Sequence, residues 1–248
     1  MLTDVQTLCP CALYPSPNFG ERKDGLAVDM LVLHYTGMED DKQALDWLCN
    51  EQSEVSCHYF VNRDGSLIQL VDENARAWHA GQSFWKGERD INSRSIGIEI
   101  ANSGQEPFPN DQLEALLMLS MDICSRHDIP AWRVLGHSDV SPGRKIDPGV
   151  KFPWRQLAVA GVGHWADPDR NTGSLFFQLG DEGQPIQALQ SMLALYGYDV
   201  AVTGVFDDQT ETVVKAFQLH FRPEKVDGVA DTALISTLYK LNATQPNL

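Results

Sequence analysis

The first 165 residues alternate between short apolar runs and segments with helical spacing. The run MLVLHYT (30–36) is apolar and contains β-branched valine, which predicts a buried strand ending at His34. Segment 95–102, SIGIEIAN, alternates strictly, as a strand with one buried face does. Segment 58–71 holds two apolar runs around Asn-Arg-Asp-Gly and predicts a hairpin. We therefore expect a mixed α/β domain with a central β-sheet flanked by helices.

Helical periodicity is clearest in one segment of the first part and in three segments near the C-terminus. A helix over 111–126 would place Leu113, Leu116, Leu117, Ser120 and Cys124 on one side. Beyond a polar, turn-rich stretch at 166–174, large apolar residues recur three or four positions apart. These three stripes are Ile186, Leu189, Leu193 and Tyr196; Val213, Val214, Phe217 and Phe221; and Leu234, Ile235, Leu238 and Leu241. We expect an α/β domain over 1–165 and a small three-helix domain over 175–243.

Charge and composition exclude two classes of partner. The 248-residue chain carries a formal net charge of −15, whereas nucleic acid binding needs a basic face. No window approaches the roughly 18–20 consecutive apolar residues of a membrane span. The start has neither the positive charge nor the apolar run of a signal peptide, and the five cysteines form no tight framework. We expect a reducing compartment, the cytoplasm.

Two histidines and one aspartate stand at positions suited to a metal ion. His34 ends the first apolar strand, and His137 follows Gly136 after another apolar run. Asp147 comes ten residues after His137, in a segment stiffened by proline and glycine, VLGHSDVSPGRKIDPG (134–149). Two imidazoles and one carboxylate are a recognised catalytic zinc set, which leaves the fourth position for water. The spacing alone leaves a structural His–Asp contact equally open.

Glu99 and Lys145 add groups that suit hydrolysis. The alternation in 95–102 turns three isoleucines toward the core and places Glu99 among small residues on the other face. This leaves room for a ligand above the carboxylate, although a solvated charge on an open sheet is the alternative. A carboxylate near a zinc-bound water can take its proton and later return it to a leaving group. Lys145, two residues before Asp147, could face a developing oxyanion; alone it would be a solvated loop lysine.

Several segments together resemble one known family. They are LVLHYTG, SCHYFVNRDGSLIQLV, AWHAG, RSIGIEIAN and VLGHSDVSPGRKIDPG, in this order over about residues 25–157. These motifs are similar to those of the zinc-dependent N-acetylmuramoyl-L-alanine amidases of the AmpD/AmiD type, whose fold is shared with peptidoglycan recognition proteins. The resemblance implies the same α/β fold and one zinc ion per chain.

The resemblance also implies a role for each candidate residue. Glu99 would be the catalytic acid and base, and Lys145 would support the transition state. The implied zinc ligands are His34, His137 and Asp147. The implied substrate contacts are Trp78, His79 and Asn102, with packing in the groove wall an equal alternative for the first two.

The C-terminal segment is similar to the small peptidoglycan-binding module often joined to wall hydrolases. Its marks are Leu189-Gln190, Gly197-Tyr198, Gly204-x-Phe206, Thr210, Phe217-Gln218 and Asp227-Gly228. The alternative is a helical module that only packs on the first domain. A wall-binding module favours the periplasm or cell envelope, which is the alternative to the cytoplasm.

The implied reaction is hydrolysis of the amide that joins N-acetylmuramic acid to L-alanine in peptidoglycan or muropeptides. One alternative is a recognition protein that binds muropeptides without cleaving them, but the metal set together with Glu99 favours an enzyme. A zinc peptidase acting within the stem peptide is a further alternative, which analysis of the products would separate.

Overall fold

A six-stranded mixed sheet forms the centre of the first domain in a computed structural model that describes residues 6–169 and 176–245. The order across this sheet is β1-β5-β4-β7-β3-β8, while β2 and β6 pair separately. β4, β7, β3 and β8 run parallel, so their carboxyl ends meet at one edge of the sheet. The strands are β1 Cys11–Leu13, β2 Phe19–Glu21, β3 Met30–Tyr35, β4 Tyr59–Val61, β5 Leu67–Gln69, β6 Ala75–Ala77, β7 Ser95–Ile100 and β8 Val134–Gly136.

Helices flank the sheet, as the sequence predicts. They are α1 Asp41–Leu48, α2 Ile91–Arg94, α3 Asn110–Arg126, α4 His137–Val140 and α5 Trp154–Val159. The long helix α3 contacts β3 and β4. Its buried face is rotated slightly from the predicted one, because Leu119 and Ile123 are buried while Leu117 and Cys124 are only half-buried.

The predicted hairpin is confirmed as the antiparallel pair β4 and β5, with Val61 opposite Leu67. Its turn contains Gly65, whose φ of 82° suits glycine. A Cβ there would also lie 2.7 Å from the carbonyl oxygen of Asp111 at the start of α3. The turn and helix α3 therefore fix one another.

The alternation in β7 has the predicted outcome. Ile96, Ile98 and Ile100 are fully buried and belong to the core cluster beneath α3. Gly97 and Glu99 belong to the opposite face, since successive side chains of a strand alternate. This opposite face is where the candidate catalytic residues lie.

Three helices form the second domain, and the predicted apolar stripes are buried in it except for half-buried Ile235. They are α6 Gln184–Tyr196, α7 Asp208–Phe221 and α8 Thr232–Ala243, with a short ribbon of β9 Phe176–Phe177 and β10 Ala230–Asp231. Residues 170–174 of the predicted linker and residue 175, the predicted start of the second domain, lie outside the described residues, and the domain limits stay a prediction. Within the described ranges no helix is long and apolar enough to cross a membrane.

The two domains share one apolar core. A single cluster of buried side chains joins Met30, Val32 and Trp85 of the first domain to α6, α7 and α8. The ring of Trp85 is fully buried and meets Tyr198 edge-on, with 5.0 Å between ring centroids. A Cβ on Gly197 would lie 2.5 Å from the Trp85 ring, so glycine is required for this approach. The second domain is thus docked against the first.

Candidate metal centre and catalytic cavity

The three predicted zinc ligands meet at the carboxyl edge of the sheet. His34 is the fifth residue of β3, and His137 is the first residue of α4, directly after β8. His34 Nδ1 lies 2.9 Å from His137 Nδ1 and 3.1 Å from Asp147 Oδ2. His137 Nδ1 lies 3.0 Å from the same carboxylate oxygen. All three residues are buried.

This donor set fits a zinc ion. Tetrahedral ligands at about 2.0–2.2 Å from zinc are roughly 3.3 Å apart, close to the three distances observed. Two imidazole nitrogens that face each other and a carboxylate cannot all be satisfied by protons, so a cation suits the position between them. The set forms one group of potential metal ligands in the described part of the chain.

Hydrogen bonds on the far side of each ring turn the two Nδ1 atoms toward the metal position. His137 Nε2 lies 3.1 Å from the carbonyl oxygen of Ala80, to which it donates. His34 Nε2 lies 3.0 Å from His79 Nδ1. His79 Nε2 in turn meets the Ser95 hydroxyl, which donates to the backbone of α2. Such partners fix the tautomer of a metal-binding histidine and leave the other nitrogen free to coordinate.

The AWHAG motif therefore supports both histidine ligands. His79 holds His34, and the backbone of Ala80 holds His137. The motif itself is anchored by Asn92, whose Oδ1 accepts from the backbone of His79 and Ala80. Sequence reasoning missed this role because the partners lie 12 to 57 positions apart.

The space above Gly97 explains how His79 reaches its partner. A Cβ at residue 97 would lie 2.4 Å from Cγ of the His79 ring. The small residue predicted to leave room for a ligand thus leaves room for His79. This ring is buried, and burial holds the pKa of His79 well below its usual value.

Electrostatics at the ligands favour the forms that bind metal. Burial, followed by the nearby His137, lowers the pKa of His34 to about 4. Burial alone would raise the pKa of Asp147, but its close contacts with His137 and His34 outweigh burial and leave that pKa below its usual value. At neutral pH His34 is therefore neutral and Asp147 ionised, as metal binding requires.

The loop that carries Asp147 is hydrogen-bonded to α4. Ser138 donates its backbone N–H to the carbonyl oxygen of Asp147 at 2.9 Å. The Arg144 side chain crosses the loop and donates to the carbonyl oxygens of Ala80 and Gln82 at 2.6 and 2.8 Å. The proline- and glycine-rich segment is stiff so that a carboxylate outside regular structure stays beside two strand-end histidines.

Glu99 lies next to the ligands. It pairs with His34 in the parallel register of β7 and β3, which places the two side chains on one face. Its Oε2 is enclosed and has no hydrogen-bond partner. Burial and then the charge of Asp147 raise the pKa of Glu99 well above its usual value, while Lys145 opposes this rise. Glu99 is thus an unpaired carboxyl poised to hold a proton.

A cavity of about 530 Å³ opens above these groups. Glu99, His137 and Asp147 line its floor together with Lys145 and Tyr35. Apolar side chains that are largely exposed, among them Trp47 and Ile146, stand at its mouth. A larger concavity of about 1220 Å³ between residues 15–28 and the end of α3 contains none of the predicted site residues.

The three predicted substrate contacts lie in different surroundings. Trp78 is half-buried and lines the cavity, as does His79, which is also bound to His34. Asn102 is not brought to the cavity lining. Its side chain is fully buried and accepts from the backbone of Gly104 at 2.7 Å, so it orders the turn that follows β7.

Comparison with known proteins agrees with this geometry. Residues 24–150 match the N-acetylmuramoyl-L-alanine amidase family, and residues 182–238 match a peptidoglycan binding domain. The chain is 39% identical to the amidase AmiD of Escherichia coli over 82% of this chain and 78% of that protein. It is 35% identical to the 1,6-anhydro-N-acetylmuramyl-L-alanine amidase AmpD of Haemophilus influenzae over 60% of this chain and 91% of that protein.

A solved structure resembles the whole chain. It is AmpDh3 from Pseudomonas aeruginosa in complex with anhydromuramic pentapeptide, with a TM-score of 0.77, 32% identity and full coverage of both chains. The chain thereby shares the fold of AmpDh3 over its whole length. The chain accordingly belongs to the N-acetylmuramoyl-L-alanine amidase family and is an enzyme of that activity rather than a non-catalytic recognition protein.

Proposed function

We propose that the enzyme uses one zinc ion, held by His34, His137 and Asp147, to cleave the bond between N-acetylmuramic acid and L-alanine. The observation that carries this proposal is the convergence of two Nδ1 atoms and one carboxylate oxygen at 2.9–3.1 Å on the cavity floor. When bound there, zinc supplies Lewis acidity, which lowers the pKa of water toward about 7 and polarises a carbonyl group.

Glu99 carries the proton in this reaction. Its carboxylate accepts a proton from the attacking water as the new C–O bond forms at the lactyl carbonyl. It then gives that proton to the alanine nitrogen as the C–N bond breaks, since an amide nitrogen leaves only when protonated. An enclosed oxygen without a partner and a raised pKa suit a carboxyl that takes up and returns a proton.

Lys145 stabilises the negative charge that develops on the carbonyl oxygen. Its side chain lines the cavity and acts electrostatically on both Glu99 and His34. A fixed positive charge in a partly closed site interacts more strongly than it would in water. Trp78, also in the cavity lining, offers a flat apolar surface to the substrate.

The substrate class follows from the relatives. AmpDh3 was solved with an anhydromuramic pentapeptide, and AmpD is named for 1,6-anhydro-N-acetylmuramyl-L-alanine. We infer that a soluble muropeptide with a muramoyl end is a substrate of this chain. The peptidoglycan binding domain match supports an additional affinity for glycan strands.

Mass spectrometry of the products tests the reaction. A muramoyl-tripeptide is incubated with the zinc-loaded enzyme, with Glu99→Gln, and with Glu114→Gln, an exposed glutamate on α3, as the matched control. We expect free tripeptide with an intact L-alanine amino terminus from the wild type and the control, and a loss of about 10²–10⁴-fold for Glu99→Gln. Cleavage inside the tripeptide would move the enzyme to the zinc peptidases.

We propose the cytoplasm as the place of action. The support is that all five cysteines, the neighbouring Cys9 and Cys11 included, are free thiols, as is usual in a reducing compartment. The periplasm or cell envelope is the alternative favoured by the peptidoglycan binding domain. Fractionation of cells that express the native gene decides between them, and enrichment in the periplasm would overturn the proposal.

A further inference from the structure

Asp139 is a buried carboxylate at the junction of the two domains. It follows the zinc ligand His137 by two residues on α4, and it is 1% exposed. Its oxygens accept three hydrogen bonds. One comes from the backbone N–H of Gly136 at 2.7 Å, and the others from the Tyr198 hydroxyl at 2.6 Å and from His220 Nδ1 at 2.7 Å.

Two of these three donors belong to the second domain. Tyr198 follows α6, and His220 lies on α7, so both reach Asp139 from the peptidoglycan-binding module. A buried carboxylate is costly unless hydrogen bonds satisfy it. Helix α4 begins with the proposed zinc ligand His137. It therefore depends on the second domain for two of the three hydrogen bonds that satisfy Asp139.

The His220 ring is held rigidly in place. It stacks on Trp154 of α5 with 3.7 Å between ring centroids and on Phe221 with 3.9 Å. Trp154 in turn lies close to Gly136, where a Cβ would come within 3.2 Å of its ring. His220 thus points a fixed donor at Asp139.

The second domain also contacts the segment between His137 and Asp147 at a second point, Gly143. A Cβ on Gly143 would lie 2.7 Å from the Thr212 methyl group on α7. Gly143 stands four residues before Asp147, the third ligand. The segment from His137 to Asp147 is therefore braced by α7 at two separate points.

We propose that the second domain is a structural part of the metal centre, in which Tyr198 and His220 act as positioning residues that hold the zinc-ligand loop through Asp139. This role differs from glycan binding, and it rests on the proposed zinc site. By fixing α4, the two residues keep His137 and Asp147 at ligand distance before the metal arrives.

Zinc affinity of the full-length protein, measured by competition with a chelator, tests the proposal. Tyr198→Phe removes one donor without loss of ring volume. His220→Phe removes the other and keeps a flat ring between Trp154 and Phe221. Removal of an outer-shell partner typically weakens metal binding 10–100-fold, and we expect about tenfold for the double variant because Asp139 acts through one further residue.

Tyr196→Phe is the matched control. Tyr196 lies two residues earlier in the same interface, and its hydroxyl bonds to His164 at 3.0 Å instead of Asp139. We expect the control to keep the wild-type zinc affinity. His220→Asn, which retains a donor near the Nδ1 position, is expected to recover part of the affinity that His220→Phe loses.

The spectrum of the cobalt-substituted protein supplies a second readout. We expect the d–d bands of the double variant to shift because the ligand loop is less well fixed, and those of Tyr196→Phe to stay unchanged. A double variant that melts at a lower temperature but keeps both the zinc affinity and the cobalt spectrum of Tyr196→Phe would overturn the proposal. If the wild type itself did not bind zinc, the result would instead overturn the proposed metal site, on which this inference rests.

Discussion

His34 and Glu99 occupy paired positions on neighbouring parallel strands, His34 on β3 and Glu99 on β7. Adjacent strands are about 4.8 Å apart, and paired residues face the same side of the sheet. The separation between a metal ligand and the proton carrier is therefore set by strand register, which is more rigid than a loop. A slip of one residue would turn Glu99 into the core.

The bond from His34 to His79 leads to a prediction about metal affinity. His79→Phe keeps a ring above Gly97 but removes the acceptor for His34 Nε2. We expect zinc to bind about tenfold more weakly, since the tautomer of His34 is no longer fixed. His79→Asn, which retains an acceptor, should lose less. Chelator competition measures both, and equal affinity of His79→Phe and wild type would show that His79 does not orient the ligand.

The close contact of Gly197 with Trp85 predicts that a larger residue at position 197 weakens the packing of the two domains. Gly197→Ala would place a methyl group 2.5 Å from the buried Trp85 ring, at a φ of 151°. Overpacking of this kind costs about 1–3 kcal/mol, in addition to backbone strain. Urea unfolding of the full chain measures this loss of stability.

Gly180→Ala controls for backbone strain alone. Gly180 also has a positive φ, of 93°, but a Cβ there meets nothing within 4 Å. We expect Gly180→Ala to lower the free energy of unfolding by only about 1 kcal/mol. If the two variants lose the same stability, the approach of Trp85 to Gly197 is not a tight contact.

The depressed pKa of Glu73 leads to a prediction about how the stability of the fold depends on pH. Burial alone would raise the pKa of Glu73, but hydrogen bonds from Arg126, His127 and Tyr59 outweigh it and hold that pKa well below its usual value of 4.5. A carboxyl with a depressed pKa stabilises the fold above its unfolded-state pKa, and this contribution is lost as pH falls toward the folded-state value. The free energy of unfolding should thus decrease below about pH 4.5.

Urea unfolding between pH 7 and 3 tests the role of Glu73. Glu73→Gln should be about 1–3 kcal/mol less stable than wild type at pH 7, because Arg126 and His127 lose a charged partner. The difference should shrink toward pH 3. Glu114→Gln, which changes an exposed glutamate on α3, the helix that carries Arg126, should follow the wild-type curve. A difference in stability between wild type and Glu73→Gln that stays constant across the pH range would contradict a depressed pKa for Glu73.

The parts of the site that could be predicted from sequence depend on short-range signals. The sequence predicts His34 and His137 because apolar strands end beside them, and Glu99 because the alternation in β7 places it opposite the core. The structure brings the three predicted zinc ligands together in one buried group. The three helices of the second domain can likewise be predicted, because the apolar periodicity that indicates each helix lies within that helix.

The partners that sequence reasoning missed are distant in the chain. His220 is buried against Asp139, which lies 81 positions away. His79 and His34 are separated by 45 positions. Such pairs depend on strand order and domain docking, which periodicity does not encode. Asn102, a substrate contact that the family resemblance implies, has a buried side chain that orders the turn after β7.

The zinc content of the purified chain tests the central claim most directly. Wild type, Asp147→Asn and Glu99→Gln are loaded with zinc, dialysed and analysed for metal per chain. We expect one zinc ion in wild type and in Glu99→Gln, because Glu99 is not a ligand, and a loss of retained zinc in Asp147→Asn. Equal zinc in Asp147→Asn and wild type, or none in wild type, would contradict the assignment of His34, His137 and Asp147 as the metal centre.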